Sequence, residues 1–179
     1  MNLAGGAMLD IGVYALSIVR SFMDETPDEI VSQWKPSPTG SDEQATILLK
    51  NSLGQMATVA LSMHSKQPKR AMISCEKGYI EIMEYPRASK AILVDAETGK
   101  QTELDCGDTA NALYYEMTDM EQAVKNKICA NKNGIDKNSA DKNDTNKNSE
   151  SNEQNEQDEM HLAYTRDVME IMTRLRKDW

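Results

Sequence analysis

From Glu29 to Leu104 the chain alternates apolar and polar residues in short runs divided by turn residues, and this pattern constrains the fold most. In 42–50, Ala45, Ile47 and Leu49 fall on one side. Asn51-Ser52-Leu53-Gly54 makes a turn, and 55–64 continues with Ala57, Val59, Leu61 and Met63 inward, which predicts a hairpin. The opposite side of that run, Met56, Thr58, Ala60, Ser62 and His64, is small and semi-polar, as on a sheet face met by a partner. Before the hairpin, 29–34 reads as a short strand closed by Pro36 and Pro38. After it, 71–75, 79–83, 91–94 and 101–104 read as further strands, with turns at Lys77-Gly78 and Glu97-Thr98-Gly99-Lys100. A run of about six antiparallel strands is not the strand–helix alternation of a nucleotide-binding sheet. Neither Gly-x-Gly-x-x-Gly after a strand nor a Walker-type loop occurs. The expected fold is α+β, an open and predominantly antiparallel sheet with helices packed on one face.

Helical periodicity frames this meander. From Met8 to about Phe22, Met8, Ile11, Ala15, Ile18 and Phe22 recur at the three-then-four spacing of a buried stripe, widened by Leu9, Leu16 and Val19. Asp108 is a candidate cap for a helix whose stripe is Leu113, Met117, Met120, Val124 and Ile128. A closing helix over about 160–177 carries Leu162, Thr165, Val168, Met169, Met172 and Leu175. The twelve methionines fall mostly on such stripes and read as core. Between the last two helices, 131–159 cycles through Lys-Asn and Asn-Glu-Gln, with too little apolar surface to offset ordering its backbone at about 1–2 kcal/mol per residue. The expectation is one domain over 1–179 with a disordered insertion at 131–159.

The first helix also carries a polar stripe, Asp10, Tyr14, Ser17 and Ser21. Asp10 and Tyr14 are four apart, so their Cβ atoms would lie about 5–6 Å apart on one surface. A carboxylate beside a phenol suits proton transfer: the phenol donates to a developing alkoxide and the carboxylate orients it. A solvent-facing stripe is the ordinary alternative. Gly12 favours a close approach to the backbone, since an interior helical glycine costs about 1 kcal/mol relative to alanine. Gly5 and Gly6 place an unpaired helix N-terminus where an anion or another backbone can meet it.

A net charge of −9 argues against nucleic acid or an anionic membrane as partner. No apolar run approaches the roughly 20 residues of a spanning helix, and the first helix lacks a basic leader, so a cytoplasmic protein is expected. Cys75, Cys106 and Cys129 are too scattered for a disulfide framework or zinc site and read as small hydrophobes. With His64 and His161 the only histidines, no metal site is expected.

Ala4-Gly5-Gly6-Ala7-Met8-Leu9-Asp10-Ile11-Gly12-Val13-Tyr14 resembles the helix-opening motif of the glucose–fructose oxidoreductase, inositol dehydrogenase and MocA-like family of NAD(P)-dependent oxidoreductases. Gly78-Tyr79-Ile80-Glu81-Ile82 and the closing helix resemble the family more weakly. The resemblance implies the C-terminal domain of such an enzyme, with Asp10 and Tyr14 as catalytic residues facing the nicotinamide and the reacting carbon. Tyrosine in place of histidine looks most like the dihydrodiol and sugar dehydrogenase branches, which oxidise a hydroxyl by hydride transfer. The cofactor would be NAD or NADP, held by an N-terminal Rossmann domain that these 179 residues lack, so the chain is expected to be inactive alone. Its expected partners are a hydroxylated small molecule (a sugar or dihydrodiol), a second copy through the sheet face, and in a split enzyme a separate Rossmann chain. A non-catalytic dimerisation scaffold is the alternative from another class.

Overall fold

The structure, a computed structural model, describes residues 5–135, 148–177 and 179. These divide into two units, one of 1–106 with 164–179 and one of 107–163.

In the larger unit a π-helical turn, Met8–Gly12, runs directly into helix α1, Val13–Phe22. Seven strands follow: β1 Glu29–Pro36, β2 Asp42–Lys50, β3 Met56–Ser62, β4 Arg70–Cys75, β5 Gly78–Met83, β6 Lys90–Asp95 and β7 Gln101–Asp105. Every pairing is antiparallel and sequential, as the alternation predicts. The strands form two sheets, β1-β2-β3 and β4-β5-β6-β7. Between them β3 ends at Ser62 and an irregular stretch with Pro68 carries the chain to β4, so neither strand's edge is continued by the other.

Register sets which side chains reach the core. Ile47 pairs with Ser32 and Val59, and Ala45 with Trp34 and Leu61, so these share one face of the three-stranded sheet. Ala45, Ile47, Leu49, Val59 and Leu61 are buried there with Met8, Ala15 and Leu16, and with Val168, Ile171, Met172 and Leu175 of helix α3, Asn148–Lys177. Both helices therefore cover the same face. The other face keeps Val31, Leu48 and Met56 exposed. Met63, expected inward, lies beyond the end of β3 and is exposed.

The stripe on α1 differs from the expected one because the π turn inserts an extra residue per turn at its start. Met8, Gly12, Ala15, Leu16 and Arg20 are buried, while Leu9 and Phe22 are exposed. On α3, Leu162 and Met169 are exposed, while Val168, Ile171, Met172 and Leu175 are buried. The end of the closing segment is tied down. Arg174 Nη2 donates to Asp28 O at 2.7 Å, Trp179 stacks on Trp34 with centroids 5.6 Å apart, and its Nε1 donates to Ser32 Oγ at 3.0 Å.

In the smaller unit Asp108 does cap a helical start, accepting from Ala110 N at 2.9 Å ahead of helix α2, Ala112–Ile135. Leu113, Met117, Met120 and Val124 are exposed rather than forming the expected buried stripe, and the side chain of Ile128 lies outside the described residues. Exposed Met56, Met72 and Met83 on the sheets likewise show that methionine content overstates the core. Of the stretch expected to be a disordered insertion, 136–147 lies outside the described residues, while 131–135 ends α2 and 148–159 begins α3.

Candidate active site

Asp10 lies within the π turn and Tyr14 one turn on, in the first turn of α1. The core takes the opposite side of the helix, through Met8, Gly12 and Leu16, so both polar groups face outward with Ser17 and Ser21. Asp10 is exposed, and Tyr14 retains 52% of its accessible surface, so its hydroxyl is not sunk into the sheet. A π turn is costly relative to regular helix and recurs at functional sites.

Gly12 is explained by packing. A Cβ there would lie 2.7 Å from Met8 Sδ and 3.1 Å from Leu61 Cδ1, so its absence lets the helix seat on β3. The Gly5–Gly6 segment meets an anion from within the chain. Asp42 Oδ2 accepts from Met8 N at 2.6 Å in a buried setting, and Gly6, at φ +132°, has no room for a Cβ, which would fall 1.9 Å from Asp42 Oδ1. The helix N-terminus is thus satisfied by a carboxylate of β2. Beside it, Lys35 Nζ donates to Glu43 Oε1 at 2.8 Å and holds that carboxyl below the usual range.

Asp42 escapes the sequence pattern because β2 is irregular at its start. Lys35 pairs with Gln44 but Pro36 with Asp42, so Glu43 is skipped and Asp42 leaves the alternation set by Ala45, Ile47 and Leu49. The sole local signal is a glycine pair before a helix with no capping residue of its own.

The far end of α1 is anchored by Arg20, 7% exposed on the core side. Its Nε donates to Asp167 Oδ2 at 2.9 Å, its Nη1 to Met23 O at 2.7 Å, and its guanidinium carbon lies 4.3 Å from the Tyr164 ring centroid. Thr26 Oγ1 donates to the same Asp167 oxygen at 2.7 Å. Burial pushes the Asp167 carboxyl up, but the bonds from Thr26 and Arg20 outweigh it and hold the group below its ordinary value.

Two cavities lie away from the pair. One of about 420 Å³ lies between β1 and the end of α3, lined by Ile30, Ser32, Trp34, Arg174 and Trp179. The other, about 200 Å³, lies beside Cys75, Gly78 and Leu93. Cys75 and Cys106 are free and exposed. Among the described residues no group of three or more His, Cys, Asp or Glu side chains could hold a metal ion, and no helix is long and apolar enough to cross a membrane. The Met8 amide at the helix N-terminus is already bonded by the Asp42 carboxylate.

Fold and site together define an α+β domain that presents a carboxylate and a phenol on the outer side of its first helix. Residues 1–81 match the family model of the GFO/IDH/MocA C-terminal domain. The trans-1,2-dihydrobenzene-1,2-diol dehydrogenase of Xenopus laevis is 29% identical over 115 residues, 64% of this chain and 34% of that protein. The enzyme of the same name from Danio rerio is 30% identical over 132 residues, 69% of this chain and 39% of the relative. The chain thus spans little more than a third of these relatives' length. Among solved structures, UDP-N-acetylglucosamine 3-dehydrogenase GnnA from Acidithiobacillus ferrooxidans superposes with a TM-score of 0.58 at 17% identity, covering 66% of this chain and 38% of that one. KijD10, a 3-ketoreductase from Actinomadura kijaniata in complex with NADP, gives 0.56 at 19% identity, covering 67% and 39%. At such identities the likeness is one of fold.

Proposed function

We propose that this chain is the substrate side of an NAD(P)-dependent dehydrogenase that oxidises a hydroxyl of a dihydrodiol or sugar-like molecule. The observation that carries the reading is the joint exposure of Asp10 and Tyr14 on the side of α1 turned away from the core. Their place in Gly-Gly-Ala-Met-Leu-Asp-Ile-Gly-Val-Tyr, inside the matched domain, supports it. So do the names of the relatives, two of which are dihydrodiol dehydrogenases.

When bound, the nicotinamide supplies an acceptor for the hydride leaving the carbinol carbon. The remaining work is proton transfer. As the C–H bond breaks, the O–H bond of the substrate breaks too, its electron pair forms the carbonyl π bond, and its proton passes to the Tyr14 oxygen as the phenol hands its own proton to the Asp10 carboxylate. In the reducing direction Tyr14 Oη–H donates to the developing alkoxide. Asp10, one turn earlier, orients the phenol and relays the proton to water. We further propose that the dinucleotide is held by a Rossmann domain or chain docked over this open face, so the chain alone is inactive, and that a second copy covers the apolar sheet face of Val31, Leu48 and Met56.

The test supplies a dinucleotide-binding domain, fused or as a separate chain, with trans-dihydrobenzenediol and NAD or NADP, and follows absorbance of the reduced cofactor. Tyr14→Phe and Asp10→Asn are expected to abolish most of the signal. A non-catalytic scaffold, the reading favoured by the exposed sheet face alone, would be indifferent to both.

A further inference from the structure

We propose that the cavity between β1 and the end of α3 binds a small aromatic carboxylate. Ile30, Ser32 and Trp34 of the strand face Arg174, Leu175 and Trp179 of the closing segment across about 420 Å³. That volume falls within the roughly 300–1,000 Å³ of small-molecule sites. No residue of α1 lines it, so the proposal stands apart from the reading of Asp10 and Tyr14.

The charge of the ligand follows from the side chains on the wall. Arg174 Nη2 donates to Asp28 O at 2.7 Å, and among the described residues no carboxylate pairs with the rest of its guanidinium. A guanidinium holds its N–H donors in a planar fork, so others remain to be used. Ser32 Oγ already accepts from Trp179 Nε1 at 3.0 Å, which leaves its own hydrogen to donate. Among the described residues no acidic side chain lines the cavity, although the chain carries a net charge of −9. A positive wall of donors with no counter-charge suits a carboxylate, which meets the fork through both oxygens. The indoles set the rest of the ligand. Trp179 and Trp34 stack with planes 20° from parallel, a flat aromatic surface flanked by Ile30 and Leu175. Such a surface favours a ring packed offset or edge-on against it. One molecule with a ring and a carboxylate therefore satisfies both halves, and it bridges β1 to α3.

The chain's only two tryptophans both line this cavity, so indole fluorescence reports its occupancy directly. The test titrates the chain at neutral pH with benzoate, with its neutral counterpart benzyl alcohol, and with acetate, which lacks the ring. Benzoate is expected to shift the emission with a dissociation constant at or below about 1 mM. Benzyl alcohol and acetate are expected to bind at least about tenfold more weakly, the scale of one charge-assisted hydrogen bond or one stacked ring. Arg174→Gln keeps a donor for Asp28 O and should lose at least about tenfold in benzoate affinity, while Arg174→Lys should recover part of it. The three-probe comparison uses the wild type alone, so it decides the question even if the glutamine variant does not fold. No response to benzoate up to about 10 mM, or equal binding of benzoate and either control, would overturn the proposal. So would an unchanged benzoate affinity in a folded Arg174→Gln. None of these readouts uses turnover, so failure of the dehydrogenase reading would leave them as they stand.

Discussion

Replacing Asp167 by alanine removes the acceptor shared by Arg20 Nε, at 2.9 Å, and Thr26 Oγ1, at 2.7 Å. It leaves a guanidinium whose side chain is 9% exposed without its counter-charge, while the Asp167 side chain was itself 13% exposed. Removing one partner of a buried ion pair costs about 3–5 kcal/mol, and residual contact with water puts this case near the lower end, about 3 kcal/mol. Arg20 keeps Met23 O and the Tyr164 ring, which limits the damage. Asparagine retains an oxygen for both donors and loses only the charge, for about 1–2 kcal/mol. The assay is urea unfolding followed by circular dichroism, reading the shift of midpoint at unchanged slope. A carboxyl held below its ordinary pKa stabilises the fold fully above the unfolded value, near 3.9, and less as pH falls through the folded one. The gap between wild type and Asp167→Asn should therefore be full at pH 7 and close below about pH 4. A cost under about 1 kcal/mol for Asp167→Ala, or a gap that widens in acid, would refute the reasoning.

Gly78→Ala should cost about 1–3 kcal/mol or more, measured by the same midpoint, because a Cβ there would stand 1.9 Å from the backbone oxygen of Val94 on the paired strand. Leu48→Glu, on the open face of the three-stranded sheet, should shift sedimentation from dimer to monomer while leaving the unfolding midpoint within about 0.5 kcal/mol. A monomeric wild type would contradict the pairing proposed for that face.

Much of this arrangement can be read before folding because its signals are local. Period-2 alternation puts Ala45, Ile47, Leu49, Val59 and Leu61 on one face, and the structure buries all five. The polar stripe of Asp10, Tyr14, Ser17 and Ser21 also emerges as read, exposed along its length. What stays hidden is non-local. A π turn has no sequence period of its own, so the buried stripe moves off Phe22 and onto Arg20. Arg20 then depends on Asp167, and Met8 on Asp42, across 147 and 34 residues of separation. The apolar stripe of α2 shows the converse, since helical spacing establishes a face but not what covers it.

The most direct measurement is the rate of cofactor reduction at 340 nm when this chain, joined to a dinucleotide-binding domain, meets a trans-dihydrodiol. The wild type should turn over and Tyr14→Phe should lose at least about a hundredfold in kcat, the scale of a positioned proton-transfer group. Equal rates in the two proteins, or a wild type that reduces neither NAD nor NADP, would contradict the assignment.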